Sequence, residues 1–219
     1  IVEACLARDA KKVMVGDNPG GPEHLVRPVA EAAGFLPLLE QYFVDVSKDI
    51  REVQINSALA ASVPVSSAIM DADLLINVPK FKTQPLAVFT GCIKNMFGAI
   101  PGLEKARMHT VYTAPHQLVE FLIKLYSAVT PHLNIVDAIT AMEGEGPSHG
   151  TPRHVGKLIA GYNGAEVDVV LGAMLGLPTE KMRFYKTMEQ EGLGKPSLKD
   201  ITVMGSFEPL NGFSLPTLN

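Results

Sequence analysis

Two lysines spaced one residue apart, Lys80 and Lys82, lie in Pro79-Lys-Phe-Lys-Thr83, directly after the apolar run Asp73-Leu-Leu-Ile-Asn-Val78. In an extended chain side chains alternate with a period of two, so both ammonium groups are expected on one side. Two cations converging at the end of a strand suit a carboxylate or a phosphate, whereas the bland reading is a solvated surface pair. Lys94 and Asn95 fall inside the apolar stretch Val88 to Phe97, where a buried amine needs polar partners. Glu143 and Asp168 are carboxylates that could exchange protons beside lysines. His109 is a further acid–base candidate. Asp17 opens the turn Asp17-Asn-Pro-Gly-Gly21, which has neither the Gly-x-Gly-x-x-Gly nor the Walker pattern. Lys80, Glu143 and His109 are therefore the catalytic candidates. Asp17, Asn77, Lys82, Lys94, Asn95 and Asp168 are the candidates for binding a ligand or cofactor. No metal ligand set is assigned, because His109, His149 and His154 lack a tight ligand spacing.

The elements that must hold these residues alternate along the chain. Strands are predicted at 13–17, 42–46, 53–55, 73–78, 134–141, 155–162 and 201–204. Helices are predicted at 23–33, 66–72, 86–98, 117–129, 165–175 and 179–191, with loops at 79–85 and 142–154. The clearest helix is 117–129, where Leu118, Phe121, Leu122 and Leu125 recur at helical spacing. Alternation of this kind predicts an α/β fold, a Rossmann-like sandwich with a mainly parallel sheet and helices on both faces. In such sheets ligands bind beyond the carboxyl ends of the strands. Asp17, Asn77, Lys80, Lys82, Glu143 and Asp168 all follow or flank predicted strands, and are expected around one cleft there.

Composition bounds the function. The chain has 219 residues, 47% of them hydrophobic and 19% charged, enough to build a core. Its formal net charge of −4 argues against general nucleic-acid binding, which needs a basic footprint. The two cysteines, Cys5 and Cys92, exclude a disulfide scaffold, and Cys92 in its apolar stretch reads as a small buried thiol. No apolar run reaches the roughly eighteen residues of a membrane span. The expectation is a single cytoplasmic α/β domain over 1–219, a fragment of a longer protein, without membrane or nucleic-acid partners.

Three segments carry a family resemblance: Asp73 to Thr83, Thr90-Gly-Cys-Ile-Lys-Asn-Met-Phe-Gly98, and Pro131 to Pro147, with the Gly-x-Pro step at Gly150 to Pro152. Together they resemble the domain-of-unknown-function family 362. The likeness runs from Val13 to about Gly205. It implies a relation to iron–sulfur proteins, since many members carry a ferredoxin-like domain with two four-iron clusters. Two positions depart from the family pattern. Gln84 stands where a His usually follows Lys-x-Lys-Thr, and Asn163-Gly164 stands where Asp-Pro is usual. The lysines point to binding of a small anionic ligand or cofactor, and the resemblance implies a ferredoxin-like domain or other electron donor as redox partner. The alternative is a non-catalytic module that binds a partner or carries a metal or cluster. Any four-iron cluster would lie outside residues 1–219, because two separated cysteines cannot supply the four thiolates it usually takes. Purified chain should therefore contain no stoichiometric iron or sulfide and show no visible cluster absorption. Iron and sulfide in equal, stoichiometric amounts would contradict this.

Overall fold

A computed structural model describes residues 1–85, 87–178 and 183–217. The chain runs through α1 (Val2–Leu6), α2 (Val26–Ala32), α3 (Leu36–Leu39), β1 (Ile50–Gln54), β2 (Ser62–Ser66) and α4 (Ser67–Met70). It continues through β3 (Ile76–Asn77), β4 (Lys80–Gln84), β5 (Val88–Thr90), α5 (Cys92–Asn95), α6 (Gly102–Val111) and α7 (Pro115–Ala128). It ends with β6 (Leu133–Glu143), β7 (Thr151–Gly161), α8 (Gly164–Met174) and α9 (Arg183–Gln190). The architecture is α/β, as the alternation predicts.

β6 is the central strand. β3 and β4 follow one another along one of its edges, both parallel to it, while β7 returns antiparallel along the other. β5 folds back antiparallel on β4. β1 and β2 form a separate antiparallel ribbon. The burial of β6 follows the two-residue period of a strand. Asn134, Val136 and Ala138 are completely buried, whereas Ile135 and Asp137 are half-buried and Ile139 is exposed.

The buried side of β6 meets α8, whose Val167, Val170, Leu171 and Met174 share a core with Val136, Phe81 and Phe89. The other side of α8 presents Ala165 and Val169 to a second core, built from α5, α6 and α7. Packed between the sheet and α7, this helix is apolar almost all round, as a buried helix must be. The C-terminal segment adds Phe207, Leu210 and Phe213 over the same side of the sheet. The cover is uneven: on the opposite side Val78, Ile139, Leu158 and Tyr162 are exposed.

Several elements differ from the sequence reading, for identifiable reasons. The predicted loop after Val78 is strand β4, because Phe81 and Thr83 are buried and the segment pairs with β6 and β5. The helix predicted over 86–98 begins instead as strand β5 and turns helical only at Cys92. Val88, Phe89 and Thr90 are good strand formers, and an available partner decides such segments. Residue 86 lies outside the described residues. The strands predicted at 13–17 and 42–46 reduce to one parallel bridge between Val15 and Phe43. Residues 201–204 form no strand. The loop predicted over 142–154 shrinks to a turn, because β6 extends to Glu143 and β7 begins at Thr151. The predicted last helix appears as α9, and its expected start at 179–182 lies outside the described residues.

Phe121 is fully buried, with its ring 4.7 Å from Tyr112 and 6.0 Å from Phe97 between centroids. Phe121→Ala should cost about 3–5 kcal/mol, the usual penalty for emptying an aromatic site. The measurement is the urea midpoint, with helix content unchanged in buffer.

Candidate functional site

Asp168 sits on α8, 2% exposed, and aims its carboxylate at the start of α5. Its Oδ1 accepts the Cys92 N–H at 2.6 Å and its Oδ2 the Ile93 N–H at 3.0 Å. The first amides of a helix have no intrahelical partner, so this carboxylate satisfies two of them and fixes where the helix begins. Burial pushes the Asp168 carboxyl up to about 7, with the two N–H bonds working against that rise. Gly91 makes the approach possible, since a Cβ there would lie 2.1 Å from Asp168 Oδ1. The thiol of Cys92 is fully buried, and burial, then Asp168, pushes its pKa well up.

Asn77 anchors the other end of α5. Its Nδ2 donates to Cys92 O at 2.9 Å and to Asn134 Oδ1 at 2.9 Å, and its Oδ1 accepts from Asn95 Nδ2 at 2.7 Å. Both of its amide hydrogens are thus engaged by the protein. Asn134 reaches on to the carbonyls of Gly161 and Tyr162 at 3.4 and 3.3 Å. Asn77 and Asp168 therefore support α5, and Asn95 at its end is tied to Asn77.

Above those supports stands a group of cations. Lys94, half-buried on α5, has its Nζ 5.4 Å from the centroid of Phe97. Burial, and then the charge of Lys82, pull its pKa down to about 8. Lys105 on α6 is only 8% exposed and donates through Nζ to Asn18 O. Burial pulls it down to about 8 as well, with Asp17 opposing and Lys94 assisting. His109 packs edge-on against Phe97 at 5.5 Å, and partial burial followed by Lys94 lowers its pKa. Among the described residues, no carboxylate lies within ion-pairing distance of Lys82, Lys94 or Lys105. The nearest compensation is electrostatic, from Asp17 on Lys105.

The loop at 17–21 is pinned to this group. Asn18 is buried, and its Nδ2 donates to Ile100 O at 2.7 Å. Gly102 opens α6 against the same loop, where a Cβ would lie 2.1 Å from Gly21 O. Of the sequence candidates, Asp17, Lys94 and His109 thus meet around Lys105 and Phe97, and Lys82 acts on Lys94 through its charge. Lys105 and Asn18 were missed. Lys105 was legible in part, because it lies four residues before His109 and so shares a helix face with it. Asn18 carried no signal beyond its place in a turn.

Lys80 and Glu143 go elsewhere. Lys80 Nζ donates to Asp137 Oδ2 at 2.9 Å, and that pairing, ahead of the Ile139 N–H, holds the Asp137 carboxyl below its usual value. Glu143 accepts from Ser214 N at 3.0 Å and Arg153 Nη1 at 2.8 Å. Burial works to raise its pKa, but these two donors outweigh burial and leave it lowered. Lys80 lies opposite Asp137, six residues before Glu143 on β6, which is a separation of about 20 Å along a strand. Lys80 and Lys82 also part company. The register of β4 against β6 shifts between them, Lys80 facing Asp137 and Lys82 facing Met142. Burial along β4 still alternates, with Lys80 exposed, Phe81 buried, Lys82 half-buried and Thr83 buried, but the β6 partners of the two lysines lie five residues apart.

The space lined by Phe89, Lys94, Asp168 and Phe184 amounts to about 20 Å³, room for about one water molecule. A wide cleft of about 550 Å³, lined by residues including Glu23, Arg27, Phe43 and Asp45, contains none of the candidates. Among the described residues, no three of His, Cys, Asp and Glu converge as a metal site. The cysteines do not fit a four-iron cluster: Cys5 lies on α1 and Cys92 is sealed in the core.

An α/β protein with a cationic group over an amide-braced short helix is the class that fold and site define. The chain matches the model of the domain of unknown function DUF362 over residues 1–172, and it belongs to that family. It is also similar to a thylakoid-associated protein, sll1697, of Synechocystis sp. (strain ATCC 27184 / PCC 6803 / Kazusa), with 34% identity over 199 residues. That alignment covers 87% of this chain and 59% of the relative, so the chain spans about three-fifths of the relative's length. No solved structure matches the chain. No helix among the described residues is long and apolar enough to cross a membrane.

Asp168→Ala should strand the amides of Cys92 and Ile93. A buried donor left without a partner costs about 1–3 kcal/mol, so stability should fall by at least that much. Thermal unfolding reads the loss, and amide hydrogen exchange should quicken first at residues 92–95.

Proposed function

We propose that this protein binds a small anionic ligand through Lys82, Lys94, Lys105 and His109. The observation that supports the reading most is the gathering of three lysines, two of them with lowered pKa values, with no carboxylate in ion-pairing distance among the described residues. Like charges brought together and partly desolvated disfavour their own protonated forms. An anion placed among them reverses that penalty, and its phosphate or carboxylate oxygens accept charge-assisted hydrogen bonds. The loop at 17–21, held by Asn18 and Lys105, closes one side of the group. Lys80 and Glu143 stand outside this assignment, because Asp137 and Arg153 already engage them. In a longer protein carrying a ferredoxin-like domain, a ligand held here would be the acceptor or donor of its electrons.

Inorganic phosphate and a small dicarboxylate, titrated by calorimetry near pH 7, test the site. Lys94→Met and Lys105→Met should each weaken binding at least about tenfold, or about 1.4 kcal/mol. Lys80→Met should leave it unchanged. Equal affinity in wild type and both cluster variants would remove the assignment.

The same group predicts a pH dependence. Anion affinity should fall as pH rises past about 8, where free Lys94 and Lys105 lose their protons. Stability of the unliganded protein moves the other way. The folded-state values near 8 lie below the ordinary 10.5, so between those two values the unfolded chain binds more protons. The penalty from the lysines is thus fully present below about pH 8 and is relieved as pH rises toward 10.5. Denaturant midpoints across that window should show a smaller rise in Lys94→Met than in the wild type.

A further inference from the structure

The sheet face opposite α8 carries an apolar surface interrupted by one ion pair. Directly opposed residues on neighbouring strands project to the same side. Lys80, Asp137 and Leu158 form one such row across β4, β6 and β7. Leu158 is 63% exposed, Tyr162 83%, and Val78 and Ile139 48% each. These are large fractions for apolar side chains; Leu158 and Ile139 stand on β7 and β6, and Val78 and Tyr162 lie just beyond the ends of β3 and β7, and apolar surface grouped in this way marks an interaction site. Helices and the C-terminal segment pack on the other side.

We propose that this open face pairs with the same face of a second copy of the chain about a two-fold axis. The charges decide the occupant. Near the middle of the face stand one cation and one anion, Lys80 and Asp137, 2.9 Å apart with side chains 47% and 39% exposed. The pair is neutral, so the centre of the face offers no net charge to a nucleic acid or an anionic membrane surface. It does complement itself. Rotation by a half-turn sets Asp137 of each copy toward Lys80 of the other, giving four alternating charges ringed by apolar side chains. An isologous contact requires that self-complementarity. Asp137 is preset for it, since its Oδ1 accepts the Ile139 N–H at 3.0 Å.

The dimensions agree. An eleven-residue strand is about 35 Å long, and three strands with their side chains span about 15 Å. Each face therefore offers on the order of 500 Å², and a pair about 1,000 Å², the lower bound for a specific interface. An association of that size is reversible and concentration-dependent. The charge pair contributes orientation more than affinity, because desolvating it offsets much of its attraction.

Sedimentation velocity of the intact protein over a micromolar concentration series is the test. Wild type should shift from monomer to dimer. Leu158→Arg should remain monomeric with its helix content and thermal midpoint preserved. Lys80→Glu should do the same, because it places like charges across the axis. The double exchange Lys80→Glu, Asp137→Lys should restore the dimer. Three results would overturn the proposal. One is a wild type that stays monomeric throughout. Another is a dimer that both single variants leave intact. The third is a monomer whose residues 156–162 resist hydrogen exchange, since another part of the chain would then cover the face. The anion site is not involved, so phosphate affinity should be the same in Leu158→Arg as in wild type.

Discussion

The carboxylate of Asp168 reaches from α8 into the first turn of α5 and takes the amides of Cys92 and Ile93. Much of the neighbourhood depends on that contact. It ties α8, which lies between the sheet and α7, to the four-residue helix that bears Lys94. So short a helix has little stability of its own. Asp168 holds its beginning, and Asn77 takes the Cys92 carbonyl and receives Asn95. Gly91 leaves room for the carboxylate, and Gly164 lets the end of α8 close on Tyr126, whose hydroxyl accepts the Gly164 N–H at 2.9 Å. A buried carboxylate, four amide or phenol side chains and two glycines thus define one rigid corner.

That rigidity explains how the lysines can stay together. Left free, long cationic side chains would swing apart into water and keep ordinary pKa values. Lys94 is confined against Phe97, and Lys105 is buried and engaged by the Asn18 carbonyl. Their burial, with a smaller contribution from repulsion between them, is borne by the surrounding fold and lowers their pKa values to about 8.

The central strand β6 has two unlike sides. One side of β6 faces α8 and the elements that carry the cations. The other bears Asp137 and Ile139 and remains open. Lys80 and Lys82, nearly adjacent in sequence, end with different neighbours because the register slips between them. Two residues of β4 stand opposite five of β6 there, so the extra residues bulge out of β6 and change the neighbours on either side. Lys80 then joins an ion pair on the open face, while Lys82 contributes charge to Lys94.

By itself the sequence determined the α/β class, the long helix, read over 117–129 and found at 115–128, and the strand at 134–141. Those are properties of hydrophobic period and residue type, and both are local. Sequence also marked Cys92 as buried, since a thiol in an apolar run has few other places to go. Only the tertiary structure decided that 80–84 is a strand, because its partners β6 and β5 come from other parts of the chain. It alone separated Lys80 from Glu143, gave Arg153 to one and Asp137 to the other, and turned Asn77 and Asp168 into braces for α5. It alone brought in Lys105 and the Asn18 loop, 87 residues apart in the chain. Spacing along a chain constrains which side chains share a face of one element. Which elements meet, and therefore which charges meet, is set by packing between distant segments.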